Sequence, residues 1–283
     1  MEFVYKLADS SNLMKVGFFF SGGASSLKAA YQSELHGKKY QIVFAFTDKP
    51  QASGIKFCKE VGLPVIVLDY KEFCQQKGLN PRNLKDRPFY FEQVLKQIEA
   101  FQVNVIGLSG FMLIVTEPLL SAYKHRIFNI HPFRLDVLTG PQVERLDVGD
   151  LSSEEVEKLA RLNRLQRKYK GEDAVYDGMI SGEPYAQSTL HLATALFDEG
   201  PILVMSKKIY FDQEWVKKCL RMRNFRPLRQ KADAVQEQMK WECDGPAFIK
   251  GLELAADGRL AIEGNTVLLD GKPLPYKGFQ LND

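Results

Sequence analysis

Three residue types suited to acyl chemistry stand at telling places in this chain. Asn129 and His131 lie in Phe128-Asn129-Ile130-His131-Pro132, after an apolar run over 105–112 that has the character of a buried strand. Asp198 begins Asp198-Glu199-Gly200-Pro201-Ile202, at the end of a second apolar stretch opened by Ser188-Thr189-Leu190-His191. All three lie at or just past the ends of apolar strands, where open α/β sheets bind their ligands. An Asn that donates to an oxyanion, a His that moves a proton and an Asp that holds the His make a set fit for acyl transfer. A bare Asn-x-His at a strand end is ordinarily packing, and it is the combination with Asp198 that lifts this one. His191, inside a strand pattern, reads as structural support.

The elements needed to position these residues follow in order. Val16-Gly17-Phe18-Phe19-Phe20 reads as a short buried strand, running into Ser21-Gly22-Gly23-Ala24-Ser25-Ser26 and a helix through Leu27, Ala30 and Tyr31. A small-residue loop at a helix start gathers unpaired N–H groups and the positive end of the dipole, which suits an anion; a tight strand-to-helix turn uses the same residues. Strands over 41–46 and 64–68 alternate with helices over 54–61 and 88–101, the pattern of a parallel βαβ sheet. Ser152 or Ser153 with an acid three residues on predicts a capped helix running to Arg167-Lys168. Paired strands are expected over 189–193 and 202–210, a helix over 234–241, and a closing hairpin from Asp257 to Pro275. The residues before Met14 read as a loosely specified lead-in.

Composition narrows the class. With 283 residues, 45% hydrophobic and 26% charged, the chain can bury a sizeable core. A formal charge of +3 gives no whole-chain argument for nucleic acid. Lys217, Lys218, Arg221, Arg223, Arg226, Arg229 and Lys231 crowd one stretch, but with few interleaved aromatics they read as a solvated surface. Cys58, Cys74, Cys219 and Cys243 are scattered, which predicts reduced thiols and no structural metal. With no signal-like start and no run near the ~20 residues that span a bilayer, a cytoplasmic protein is expected.

The Asn-Ile-His-Pro motif after a Gly-Phe-Met strand end, with a His and an Asp seven positions apart in the second stretch, resembles the folate-dependent formyltransferases. The resemblance runs through most of the chain, in order, with two insertions. It implies a doubly wound, mostly parallel α/β sheet of Rossmann-like type with helical insertions and a C-terminal β-hairpin, as one domain over 1–283. Within that domain it implies a phosphate-binding half over 13–132, a helical insertion over 133–168 and a folate and catalytic loop region over 169–211. A basic helical insertion and the hairpin fill 212–283. It also implies transfer of a formyl group from 10-formyltetrahydrofolate to the amine of glycinamide ribonucleotide, in a monomer or homodimer acting without membrane or nucleic acid.

Residue by residue, the resemblance assigns Asn129, His131 and Asp198 to catalysis and Ala24, Ser25 and Ser26 to the acceptor's phosphate. It assigns Arg87, Met112, Leu113, Ile114, Val115 and Asn129 to the folate. The chain departs from the family with Ala24 for a usual Gly, Ser26 for a usual Asn and Leu113 for a usual Arg. Beyond His131-Pro132 it leaves the pattern at Phe133 and resumes near Tyr169-Lys170-Gly171. In the expected mechanism Asn129 donates to the tetrahedral oxyanion, worth about 3 kcal/mol of barrier. Asp198 raises the pKa of His131, which passes a proton to the leaving folate nitrogen. The rivals are a formyltetrahydrofolate hydrolase, a formyltransferase acting on an amino sugar nucleotide, and a folate-binding protein without catalysis.

Overall fold

The computed structural model describes residues 1–6 and 13–281. Its main sheet has eight strands, labelled here in chain order: β1 Met14–Phe20, β2 Tyr40–Thr47, β3 Val65–Val67, β4 Val105–Leu108, β5 Ile127–His131, β6 Thr189–Leu192, β7 Ile202–Met205 and β8 Phe279–Gln280. Their spatial order is β8-β7-β6-β5-β4-β1-β2-β3. The five strands from β3 to β5 run parallel. β6 turns antiparallel to both β5 and β7, and β8 returns parallel to β7. This is the expected mixed α/β architecture.

Burial explains why these runs become strands. Phe18, Phe19 and Phe20 on β1 and Phe44 and Phe46 on β2 are fully buried, on a sheet covered on both faces. Each such side chain contributes roughly 1.5–3 kcal/mol on transfer from water. One face packs against the helices Ser25–Gln32 and Gly245–Ala256, the other against Arg87–Ile98.

Several expected boundaries move. The run over 105–112 is strand only to Leu108, because Gly110 takes φ +64 and turns the chain out of the sheet. The capped helix is Ser153–Asn163, with both bonds of the Ser152/Glu155 capping box formed. It stops short of Lys168 because Arg164 adopts φ 52. The insertion is therefore not purely helical: Val137–Gly140, Val143–Asp147 and Gln166–Arg167 form an antiparallel sheet of three strands. The stretch expected as one strand over 202–210 divides into β7 and Ile209–Tyr210, which pairs instead with Tyr185–Ala186.

The basic stretch spreads over two helices, Gln213–Arg221 and Phe225–Met239, and Pro227 is accepted in the first turn of the second. The helix expected over 234–241 is the far end of that second helix. Near the C-terminus, Leu260–Glu263 and Thr266–Leu269 form the hairpin, extended by Lys272–Pro273. The lead-in is structured at its start, where Glu2–Phe3 pairs with the hairpin; residues 7–12 of it lie outside the described residues.

Candidate active site

β5 and β6 set the geometry. Their antiparallel register places Asn129 opposite His191 and His131 opposite Thr189. His191 Nδ1 donates to Leu192 O at 3.0 Å, and Nε2 lies 3.0 Å from Asn129 Nδ2 and accepts from it. One N–H of the Asn129 amide is thereby fixed and the other is left for the cavity. His191 is thus a direct partner of the predicted trio, a role its strand pattern did not reveal.

Asp198 reaches both histidines from the loop between β6 and β7. Its Oδ2 lies 3.4 Å from His131 Nδ1 and its Oδ1 3.5 Å from His191 Nε2. Gly171 N donates to Oδ2 at 3.3 Å. The loop is tightly built: Asp198 holds φ 53, and a Cβ on Gly200 would lie 1.8 Å from Leu192 O. The other face of His131 is closed by Tyr169 O, which accepts from Nε2 at 2.9 Å. Asn129, His131 and Asp198 therefore converge as expected, around a cavity of about 490 Å³.

The titration of His131 runs against expectation. Burial lowers its pKa from 6.5 to about 4, and the opposing pull of Asp198 does not make up the difference. His191 and the Arg167 cation push in the same downward direction. Burial also pushes the Asp198 carboxyl upward, but contacts with His191 and His131 and the Gly171 N–H outweigh it and hold it at about 2. The shares owed to the two histidines require a proton on the ring nitrogen that faces the carboxylate, which neither neutral ring carries as bonded here. At neutral pH the pair is a neutral imidazole beside a carboxylate, poised to take up a proton when negative charge develops nearby.

Ser25 and Ser26 line the same cavity, while Ala24 is buried at φ 55 just before the helix. The loop's N–H groups are only partly available. Ser109 Oγ accepts from Ser26 N at 3.1 Å and from Leu27 N at 3.3 Å, capping the helix from a neighbouring strand end. Ser26 Oγ is buried and has no hydrogen-bond partner among the described residues.

The segment expected to face a folate forms one wall of a second, narrower space of about 60 Å³, with Leu113, Val115, Thr194 and Leu196 among its lining. Met112 and Ile114 line both spaces, as do Asn129 and Asp198. Arg87 lines neither. Buried at the start of its helix, it donates to Ile114 O at 3.3 Å and lies over the Tyr70 ring, supporting that wall from behind.

The opposite wall of the larger cavity was not legible beforehand. Lys240–Asp244 is a π-helical turn between the helices Phe225–Met239 and Gly245–Ala256, and it brings Lys240 and Asp244 to the cavity. Burial pushes the Asp244 carboxyl up to about 6 against the opposing hydrogen bond from Ser188 Oγ, at 2.5 Å.

Comparison with known proteins agrees with this geometry. Residues 14–140 match the formyl transferase family model. The chain is 21% identical over 273 residues to phosphoribosylglycinamide formyltransferase of Escherichia coli, covering 95% of this chain and 100% of that one. It is 26% identical over 149 residues to the trifunctional purine biosynthetic protein adenosine-3 of Drosophila melanogaster, covering 51% of this chain and only 10% of that longer protein. Among solved structures, phosphoribosylglycinamide formyltransferase from Coxiella burnetii superposes with TM-score 0.66 at 20% identity, over 96% of this chain and 100% of that one. A formyltetrahydrofolate deformylase from Pseudomonas syringae shares the fold with TM-score 0.60 at 15% identity, over 93% of this chain and 67% of that one. The formyl transferase family model is thus matched across β1 to β5, and the rest of the chain continues on the fold those solved structures share.

Proposed function

We propose that this chain transfers the formyl group of 10-formyltetrahydrofolate to the primary amine of glycinamide ribonucleotide. The observation that carries the reading is the convergence of Asn129, His131 and Asp198 on a cavity whose other side holds the Ser25-Ser26 helix start. The amine attacks the formyl carbon, and the second N–H of the Asn129 amide receives the developing oxyanion. The neutral His131 takes the proton that the amine sheds, with Asp198 stabilising the resulting imidazolium, and returns it to the departing folate nitrogen. To do so the ring carries its resting proton on Nδ1, where Asp198 accepts it, and turns the freed Nε2 from Tyr169 O to the reacting group. Asp244 offers the amine an acceptor, and Ser25, Ser26 and the loop N–H groups face the ribonucleotide phosphate.

The pterin lies between the Met112-to-Val115 backbone and the 194–198 loop. The 60 Å³ between these walls is far below the roughly 300 Å³ of small ligand pockets, so the exposed Leu196-Phe197 tip moves outward to admit it. We read residues 1–283 as one domain, working in the cytoplasm as a monomer or homodimer without nucleic acid or membrane. Among the described residues no helix is long and apolar enough to cross a membrane.

One observation favours a second reading, hydrolysis of the same donor. Ser109 Oγ occupies two N–H groups that a phosphate would otherwise use, and the fold also serves a deformylase. Incubation with 10-formyltetrahydrofolate and, in turn, glycinamide ribonucleotide, an amino sugar nucleotide or water alone separates the readings. The proposal expects turnover only with the ribonucleotide. Formate release at the same rate without any amine would reject it in favour of hydrolysis.

A further inference from the structure

We propose that Arg167, supplied by the insertion, is a positioning residue that fixes the backbone of the Asp198 loop. The assignment rests on the catalytic role given above to His131 and Asp198.

Arg167 is among the largest fully buried side chains, 2% exposed. A guanidinium so deeply buried normally meets a carboxylate. Here the nearest, Glu199 Oε2, is 3.9 Å from Nε. The donors go instead to main-chain oxygens of the loop: Nη1 to Asp198 O at 2.6 Å and Nη2 to Gly200 O at 2.9 Å. Nε and Nη2 also donate to Tyr276 OH, at 3.1 and 3.0 Å. Asp198 between these bonds holds a left-handed φ of 53, a conformation that a non-glycine residue keeps only when its surroundings impose it.

The rest of the segment works on the same pair. Arg167 grips the Asp198 backbone, Tyr169 O accepts from His131 Nε2, and Gly171 N donates to the Asp198 carboxylate. Three alternate residues thus hold three points of the His–Asp pair, and Arg167 is the one that sets the loop. Its anchorage comes from the insertion sheet, where Arg167 pairs with Leu138, and from Tyr276 near the C-terminus.

The test compares Arg167→Met, which keeps length and loses every donor, with Arg167→Lys and Tyr276→Phe. Melting temperature, kcat, KM for the ribonucleotide and the His131 ring titration by NMR are measured on each full-length protein. Arg167→Met should lower kcat about 100-fold, the effect expected of a displaced catalytic group, with KM for the ribonucleotide unchanged. Arg167→Lys should recover part of that loss, and the His131 midpoint should rise in Arg167→Met as the neighbouring cation is removed. If Arg167→Met does not fold, a clear fall of kcat in Arg167→Lys, smaller in Tyr276→Phe, supports the assignment. A folded Arg167→Met with wild-type kcat, or wild-type kcat in both milder variants, would overturn it. If the wild-type chain transfers no formyl group, the functional reading has failed, and hydrogen exchange of the 198–200 backbone amides decides: faster exchange in Arg167→Met, or in Arg167→Lys if the former does not fold, supports the positioning role and unchanged exchange rejects it.

Discussion

The half of the chain ending at His131 and the segment over 133–171 both hold atoms of the candidate site in place, but with different shares of burial and charge. β1, β2, β4 and β5 are apolar runs sealed between helices, and Asn129 and His131 stand at the end of strands fixed by burial. The insertion buries a small apolar cluster of Leu138, Val148 and Val156 and adds to it a network of buried charge. Arg134, 3% exposed, makes two 2.9 Å bonds to Asp136 and one of 2.5 Å to Asp147, while Arg145 and Tyr169 both donate to Glu183, itself 1% exposed. Burial contributes stability broadly and tolerates small changes. A buried ion network adds little net stability but penalises every geometry except one. The segment that touches His131 and Asp198 from the side is therefore specified by charged partners as well as by burial, and the strands that carry Asn129 and His131 by transfer from water.

Breaking the site itself should have the largest effect. Asn129→Ala and His131→Ala are each expected to lower kcat by about 10²–10³ while leaving the melting transition near wild type, read by steady-state assay and calorimetry. Near-normal turnover in either folded variant would dismiss the mechanism.

The comparison itself is tested by Glu183→Gln. Removing one charge from the network leaves Arg134 and Arg145 undercompensated, with an expected loss of about 3–5 kcal/mol in denaturant unfolding. Removing a single methylene group from the strand half, as in Ile106→Val, should lose only about 0.5–1.5 kcal/mol. Equal losses would erase the distinction drawn between the two regions.

The pH dependence of stability sharpens the account of His131. Its folded pKa of about 4 lies below the unfolded 6.5, so the unfolded chain takes up the proton first. The contribution is fully present above pH 6.5 and is lost as pH falls toward 4, where Asp198 begins the same trend toward 2. Thermal melts across this window should show the decline, and His131→Gln should flatten its upper part. A His131→Gln protein with an unchanged slope would contradict the burial of a neutral ring.

The smallest effect is expected at Ser109→Ala. It frees the N–H groups of Ser26 and Leu27, and one regained bond of about 1 kcal/mol should tighten ribonucleotide binding roughly fivefold. Weaker binding, measured by titration calorimetry, would show that the phosphate does not use this helix start.

The same contrast explains what the sequence revealed. The strands to β5, the capping box and the Asn129–His131–Asp198 set were legible because each is written in a local pattern of apolar period, cap or motif. The ends of elements were not: left-handed Arg164 and Gly110 stop a helix and a strand that composition alone would continue. The partners were hidden too. His191 meets Asn129 through strand register, Ser109 caps a helix 83 residues away, and Asp244 reaches the cavity through a π-helical turn. The direction of the His131 shift was missed because the carboxylate is visible in the sequence and full burial is not.

The most direct test is a single-turnover reaction of wild type and Asp198→Asn with ¹³C-formyl-labelled 10-formyltetrahydrofolate and glycinamide ribonucleotide, followed by NMR. The account predicts that wild type moves the label onto the ribonucleotide amine without free formate, and that Asp198→Asn does so about 10²-fold more slowly. Equal rates in the two proteins, or label appearing as formate whether or not the ribonucleotide is present, would contradict it.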